Sequence, residues 1–126
     1  MTPKQVVERY LAEVLTSEGP GRADELISSE ELRQRAGHFR IAFPDLEIDT
    51  LVLVAEGNLV AGHFIGRGTH HGVFQGIPPT GRPWEARCTA IYRIEDDRIA
   101  DGWVTWDHLS LLHQLGAVER VSTVSA

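Results

Sequence analysis

The sequence predicts an α+β domain in which two leading helices and a short final helix cover one face of a strongly curved, largely antiparallel sheet. Apolar residues recur at helical spacing before residue 44, and they form strand-like runs from residue 46 to residue 106. The chain has 126 residues, of which 42% are hydrophobic and 24% charged, close to one ordinary globular domain. We therefore expect a single domain over residues 1–126, with a loosely ordered tail over residues 117–126.

The first helix is predicted over residues 3–17. Thr2 can cap its open amides, a proline suits its first position, and Gln5 can complete a capping box. The helix carries one apolar stripe, made of Val6, Val7, Tyr10, Leu11, Val14 and Leu15. It should stop near the Gly-Pro-Gly sequence at residues 19–21, and a short linker or helical turn should follow through Ile27.

A second helix is predicted over residues 29–43. The Ser-Ser-Glu-Glu sequence at residues 28–31 offers another capping box. One apolar face follows it, made of Leu32, Ala36, Phe39 and Phe43. Pro44 should end this helix, because a proline pushes the residue before it out of the α region.

A hairpin is predicted next. Its first run begins at Leu46 and reaches the Glu-Gly-Asn turn at residues 56–58. Residues 59–69 form the return strand. A loop rich in glycine and proline follows at residues 71–82, and we expect it to form the rim of a pocket.

A third strand is predicted over residues 84–94 and a fourth over residues 98–106, on either side of an acidic turn. The last element, residues 107–115, is a short helix. Gly116 should end it in the left-handed conformation that glycine adopts easily. Helices on one face of such a sheet leave room for a pocket between the two layers.

Composition excludes several classes of protein. The formal net charge of −6 has the wrong sign for the electrostatic attraction that dominates nucleic-acid binding. A single cysteine, Cys88, allows neither an internal disulfide nor a cysteine-based zinc site. Residues 1–15 are unlike a signal peptide, and no apolar run has the length of a membrane span. We expect a protein of the cytoplasm with no membrane partner.

Four segments carry a family resemblance. They are FPDL at residues 43–46, GTHHGVFQGIPPTGR at 68–82, IYRIEDDRI at 91–99 and WVTWDHLSLLHQLG at 103–116. In order and spacing they resemble the SnoaL-like polyketide cyclase (ester cyclase) family of the nuclear transport factor 2-like cone fold. Four motifs in register are specific for the family, but not for a reaction, because that superfamily includes cyclases, isomerases, hydrolases and plain binders.

The resemblance implies a cone-shaped sheet wrapped around two to three N-terminal helices. It also implies a cofactor-free and metal-free aldol-type ring closure of a polyketide ester, with an aspartate as acid/base group that corresponds to Asp107. The chain departs from the family pattern at the Asp96-Asp97 turn, at His63, and at Ser110 and His113 in the last helix.

Asp107 has two interpretations. An apolar wall raises the pKa of a carboxyl group and makes it a stronger base, and tryptophans and an apolar helix flank this residue. An aspartate directly before a helix is also a preferred N-cap, in which the carboxylate binds backbone amides. Both roles remain open.

The sequence does not predict a metal site. Histidines occur at positions 38, 63, 70, 71, 108 and 113. The neighbouring pair at positions 70 and 71 points to opposite faces of an extended chain, and the pair at 108 and 113 diverges on a short helix. We expect His63 to be a second catalytic group and His38 to line the pocket, the alternative for each being a wall or surface histidine.

Aromatic residues suffice to line a pocket: Phe39, Phe43, Phe64, Tyr92, Trp103 and Trp106. The alternative is a packed core. Trp103 shares its strand parity with Asp107, so we expect Trp103 in the pocket, with a bulge able to exchange it for Trp106. In the third strand Arg87 should face outward and Cys88 inward, as a small wall residue without a motif that would activate its thiol.

Two functions other than a cyclase remain. One is a non-catalytic cone that binds an apolar ligand, and the other is an epoxide hydrolase or cyclase of the same fold. The second chemistry needs an Asp/Arg/Asp relay, which Asp101, Arg87 and Asp107 fit poorly. We expect a small apolar substrate and no cofactor. Because one sheet face lacks helix cover, we also expect a homodimer or homotetramer.

Overall fold

A computed structural model of the chain describes residues 1–15 and 23–118 and confirms the α+β class. Its helical elements are α1 (Pro3–Tyr10), continued by a π-helical turn (Leu11–Leu15), α2 (Ala23–Leu26), α3 (Glu30–Ala42) and α4 (His108–Gln114). Its strands are β1 (Glu47–Glu56), β2 (Leu59–Thr69), β3 (Pro83–Glu95) and β4 (Arg98–Trp106). The predicted helix stop at residues 19–21 and most of the predicted tail lie outside the described residues.

Local sequence signals set the helix starts. The Thr2 hydroxyl accepts from the Gln5 amide at 3.2 Å, and the Thr2 amide donates to Gln5 Oε1 at 2.9 Å, which confirms the capping box. Ser29 caps α3 by accepting from the Leu32 amide at 3.4 Å. These side chains satisfy amides that the first helical turn leaves without partners.

The sheet is antiparallel, in the order β1-β2-β3-β4. Two tight turns connect its outer hairpins, and both use left-handed residues. Gly57 has φ +59°, while Asp96 and Asp97 have φ +51° and +58°. Hairpin turns of this kind match the twist of the strands, and Asp tolerates the conformation better than most residues.

Alternation along β3 separates two sheet faces. Its inner face carries Trp84, Ala86, Cys88, Ala90, Tyr92 and Ile94, all buried. The residues between them, including Arg87, are almost all exposed, so the predicted orientations of Arg87 and Cys88 are confirmed. Cys88 lies opposite Phe64 of β2 and Trp106 of β4, and those two rings therefore share the inner face.

The loop after β2 is fastened to the end of α3. The amides of His71 and Gly72 both donate to the Ala42 carbonyl, at 3.0 and 3.1 Å. A Cβ at Gly72 would lie 2.1 Å from the Ile41 carbonyl oxygen, so only glycine allows this approach. The backbone at the start of the loop is therefore held against the end of α3.

Asp45 fixes the other side of this junction. Its carboxylate accepts from the Thr69 amide at 2.8 Å and from the Thr69 hydroxyl at 2.7 Å. Burial alone would raise the pKa of Asp45, but the hydrogen bonds from Thr69 outweigh it and hold that pKa below its ordinary value. Because the pKa is lowered in the folded state, this contribution to stability is lost as the pH falls through it.

Within the described residues, no helix is long and apolar enough to cross a membrane.

Candidate functional site

A cavity of about 770 Å³ lies between the inner face of the sheet and the helices. Its walls are mostly apolar, with contributions from the π-helical turn, α3, all four strands, the loop after β2 and α4. The polar or titratable residues that line it are Tyr10, Arg35, His38, Gln75, Cys88, Tyr92, Thr105 and His108. The side chain of Thr105 lies on the outer face, opposite Thr89. This volume and composition are typical of sites for small apolar ligands.

Six of the residues that the sequence suggested for the site line this cavity: His38, Phe39, Phe64, Cys88, Tyr92 and Trp106. Four others do not: Phe43, His63, Trp103 and Asp107. The physical reasons for these four placements differ.

Of the two tryptophans predicted to line the pocket, only Trp106 does so, although Trp103 was the preferred one. Trp103 lies opposite Ile91 on the outer face and is 53% exposed. Trp106 lies opposite Cys88 on the inner face and stacks on Phe39, with ring centroids 5.0 Å apart at 20°. The expectation for Trp103 rested on an inward Asp107 and is corrected. Asp107 follows the inward Trp106, and its amide donates to the carbonyl of the outward Arg87 at 2.9 Å, so Asp107 lies on the outer side.

Phe43 belongs to the packed core. It is fully buried, and its ring centroid lies 4.8 Å from Trp84, 4.9 Å from Phe39 and 5.0 Å from Phe74. It supports two rings of the cavity wall, Phe39 and Phe74, from behind. For Phe43 the packed-core alternative is therefore the correct one.

Asp107 is the N-cap of α4. Its side chain accepts from the Ser110 amide at 3.2 Å, as the capping interpretation predicts. The residue is exposed and lies in a shallow cleft with Leu109, Ser110, His113 and Gln114, separate from the large cavity. The structure thus places this carboxylate away from any ligand in the cavity of the same chain.

His63 lies on the outer face of β2. Arg87 donates to its Nε2 at 3.2 Å, and its Nδ1 lies 3.1 Å from the Thr89 hydroxyl. Because a guanidinium only donates, Nε2 accepts and Nδ1 carries the hydrogen. Asp101 pairs with Arg93 on this same face, so the described residues of the cavity include no counterpart of the Asp/Arg/Asp relay of an epoxide hydrolase.

The rim of the cavity holds a pair that the sequence did not single out. His108 Nε2 lies 2.8 Å from Gln75 Oε1, and the His108 ring lies against Phe74 at 5.9 Å. Gln75 and Gly76 both have positive φ, +49° and +80°, in a turn closed by two backbone hydrogen bonds between Phe74 and Ile77. This turn holds Gln75 over the first residue of α4.

The charge of the rim is positive or neutral. Arg35 and His38 lie on one face of α3, and both line the cavity. Arg35 donates to Glu31 at 2.6 Å. Among the described residues, no Asp or Glu side chain lines the cavity. A histidine is therefore the first choice for proton transfer there.

Farther inside, three titratable groups are held in their neutral forms. Tyr10 of α1 and Tyr92 of β3 meet edge to face, with ring centroids 5.7 Å apart. Burial raises the pKa of both phenols, and it raises the pKa of Cys88 to about 12. Cys88 is thus a neutral wall residue and not a nucleophile. From the sequence, Tyr10 was assigned to the apolar stripe of the first helix and was not expected to line the cavity.

Over residues 1–15 and 23–118, the structure brings together no group of three or more His, Cys, Asp or Glu side chains that could hold a metal ion.

Comparison with known proteins agrees with this fold. The sequence profile of the family described as SnoaL-like polyketide cyclase matches residues 4–115. No curated protein matches the chain.

Solved structures share the architecture over nearly the whole chain. TsrD from Streptomyces laurentii is 27% identical, with a TM-score of 0.77 over 90% of this chain and 94% of its own. IdmH from Streptomyces antibioticus, described as a candidate polyketide cyclase, is 27% identical, with a TM-score of 0.75 over 92% and 99%. AclR from Streptomyces galilaeus, described as a candidate hydroxylase, is 23% identical, with a TM-score of 0.80 over 98% and 86%, and indicates the fold alone.

Proposed function

We propose, from the premise that the chain belongs to the SnoaL-like polyketide cyclase family, that it closes a ring in a polyketide-derived or other apolar natural-product intermediate. One observation carries this proposal, namely a cavity of about 770 Å³ with apolar walls and a few polar groups. Such a cavity holds a flexible apolar chain in a folded shape, which brings its two reacting carbons together.

The reaction is an aldol-type addition without a cofactor. A base removes a proton from a carbon next to a carbonyl group, and the resulting enolate carbon attacks a second carbonyl carbon of the same molecule. A carbon–carbon bond forms, the second carbonyl oxygen becomes an alkoxide, and that oxygen takes up a proton. The product therefore has the mass of the substrate.

We assign the proton transfer to His108. An amide oxygen only accepts, so the contact with Gln75 Oε1 places the hydrogen of the neutral ring on Nε2 and leaves Nδ1 as the base. Gln75 thus fixes the tautomer, and the Phe74 ring limits the movement of the imidazole. The family resemblance favours Asp107 instead, whose carboxylate is exposed and bound to the Ser110 amide.

Variants of the two residues decide between these assignments. We expect His108→Gln to lower the rate of ring closure by ~10²–10⁴, the usual contribution of an acid/base group. Asp107→Asn should keep both the helix cap and the rate, and Asp107→Ala should lower stability by about 1 kcal/mol with little change in rate per folded molecule. Turnover and thermal melts of the three variants measure these effects. A hundredfold loss in Asp107→Asn alone would return the role to Asp107.

The function itself is tested with the wild-type chain. A panel of linear polyketide esters with an enolisable carbon is incubated with the protein in the presence of a chelator, and the products are separated and weighed by mass spectrometry. The proposal expects a cyclised product of unchanged mass and an unchanged rate with chelator. Tight binding without any conversion would indicate a ligand carrier and contradict the cyclase. A loss of activity in the presence of the chelator would contradict metal-free chemistry.

We further propose a homodimer that buries the outer face of the sheet. Five large apolar side chains on this face are well exposed: Val52, Val54, Leu59, Ile91 and Trp103. Charged clusters flank them, one centred on Arg67 and the other on Arg93. An apolar centre with a charged rim is the usual anatomy of an interface between subunits.

We also propose a cytoplasmic location, as inferred from the sequence. The cysteine of the chain, Cys88, is a free, buried thiol, which fits a reducing compartment.

Light scattering tests the dimer. We expect the wild-type chain to elute with twice the 14.0 kDa protomer mass, and Trp103→Glu to elute as a monomer, because a carboxylate in an apolar interface loses its hydration without a partner. Leu109→Glu, an exposed leucine on α4, serves as the control and should remain dimeric. A wild-type monomer at micromolar concentration would contradict the proposal.

A further inference from the structure

The inner part of the cavity contains two hydroxyl groups whose hydrogen-bonding capacity the protein leaves unused. Tyr10 and Tyr92 line the cavity and are only 8% and 5% exposed. Within the described part of the chain, neither hydroxyl makes a hydrogen bond, and neither oxygen is among the fully enclosed polar atoms that lack a partner, so both hydroxyls are accessible from the cavity. The two rings contact each other edge to face. Buried tyrosine hydroxyls ordinarily find a partner, because a desolvated O–H group without one is unfavourable.

Both phenols remain O–H donors over the whole physiological pH range. Burial raises their pKa values, and a negative charge on Tyr10 or on Cys88 would raise that of Tyr92 further. The edge-to-face contact of the two rings, whose centroids are 5.7 Å apart, holds Tyr10 and Tyr92 next to each other. The remaining polar side chains of the cavity, such as His108 and Gln75, lie at its more exposed rim.

We propose that Tyr10 and Tyr92 form a binding subsite for a carbonyl or phenolic oxygen at the buried end of the ligand. The inference rests on the proposed function, and it adds the class of substrate: an apolar skeleton whose innermost substituent is an oxygen acceptor. Two O–H donors that have no protein partner can both bind such an oxygen. The subsite therefore orients the ligand with this oxygen innermost and with the rest of its skeleton toward the rim, where His108 lies.

The subsite makes an unusual prediction for stability. A tyrosine whose hydroxyl binds another protein group destabilises the fold when it is changed to phenylalanine, because the partner loses its hydrogen bond. Tyr10→Phe and Tyr92→Phe remove hydroxyls without such partners and keep the rings in place. Their melting temperatures should equal or exceed that of the wild type. A fall of several degrees in both would mean that these hydroxyls serve the fold and would overturn the proposal.

Ligand binding provides the direct test. The probes are 2-naphthol, which carries one oxygen on an apolar ring system, and 2-methylnaphthalene, which has a methyl group in its place. The wild type should prefer 2-naphthol by about tenfold, the effect of one well-placed hydrogen bond of roughly 1.4 kcal/mol. Each Tyr→Phe variant should lower this ratio, and Tyr10→Phe/Tyr92→Phe should abolish it. Thr105→Val, which removes an exposed hydroxyl from the outer face of the sheet, opposite Thr89, is the control and should keep the ratio.

A binding ratio that survives in the double variant would overturn the subsite. The protein could show the expected preference for 2-naphthol, and its loss in the variants, without closing any ring. That result would support the subsite and contradict the cyclase, so the experiment tests the two proposals independently.

Discussion

Val104→Trp is expected to abolish ligand binding and ring closure while leaving the fold intact. Val104 lies opposite Ala90 on the inner face of the sheet, is half-buried and lines the cavity. An indole at this position projects into space that the ligand would occupy, since the neighbouring wall is already formed by Trp106 and Phe39. We expect the affinity for 2-naphthol to fall by at least about tenfold, or 1.4 kcal/mol, and turnover to fall below detection.

A tryptophan at a position outside both the cavity and the proposed interface is the control. Leu109 is 58% exposed on α4 and does not line the cavity. Leu109→Trp should bind 2-naphthol as the wild type does. Calorimetric titration measures both variants, and circular dichroism establishes that each is folded. Unchanged affinity in folded Val104→Trp would place the ligand outside this cavity and would remove the observation on which the proposed function depends.

Features that depend on neighbours in the chain were predictable from the sequence. The capping box at Thr2 and Gln5, the left-handed turn at Asp96 and Asp97, and the glycine end of α4 each depend on a few consecutive residues. Alternation in β3 was predictable for a related reason. Alternate residues of β3 are apolar and polar, so the apolar ones are recognised as the inner face from the sequence. Cys88 and Tyr92 were placed correctly on that face.

Features that depend on contacts between distant residues were not predictable. Which tryptophan of β4 faces the cavity is decided by the partner strand, where Trp106 lies opposite Cys88. A tryptophan at either position is equally apolar, so the strand's own sequence does not decide its register. The wrong choice of Trp103 followed from using Asp107 as the reference, although the chain turns at that residue to begin α4.

The rim pair was missed for the same physical reason. Gln75 and His108 are 33 residues apart, and their contact exists only because the turn around Gly76 folds back over α4. The Gly-rich composition of that loop predicted a rim but no particular side chain. The position of Tyr10 in the cavity wall was missed for another reason. Helical periodicity identifies an apolar stripe, but it does not distinguish a residue that lines a cavity from one in a packed core.

Phe43→Ala is expected to have the largest effect on stability, a loss of about 3–5 kcal/mol. Phe43 is fully buried and touches four rings, those of Phe39, Phe74, Trp84 and His70. Removing the ring reduces the apolar surface buried in the core and leaves a cavity. The surrounding aromatic rings are rigid and closely packed, so they cannot move to close it. At about 4 °C per kcal/mol for a chain of this size, the melting temperature should fall by roughly 12–20 °C.

A loss of that size approaches the whole stability of many domains, so Phe43→Leu provides a measurable second variant with an expected cost of about 1 kcal/mol. Leu109→Ala, a truncation at a position 58% exposed on α4, is the control and should change stability by less than about 0.5 kcal/mol. Because Phe39 and Phe74 line the cavity and lie against Phe43, the Leu variant should also bind 2-naphthol more weakly than the wild type. Thermal melts of the three variants, with calorimetric titration of Phe43→Leu, measure both effects. Equal melting temperatures for Phe43→Leu, Leu109→Ala and the wild type would contradict the view that this ring supports the cavity wall.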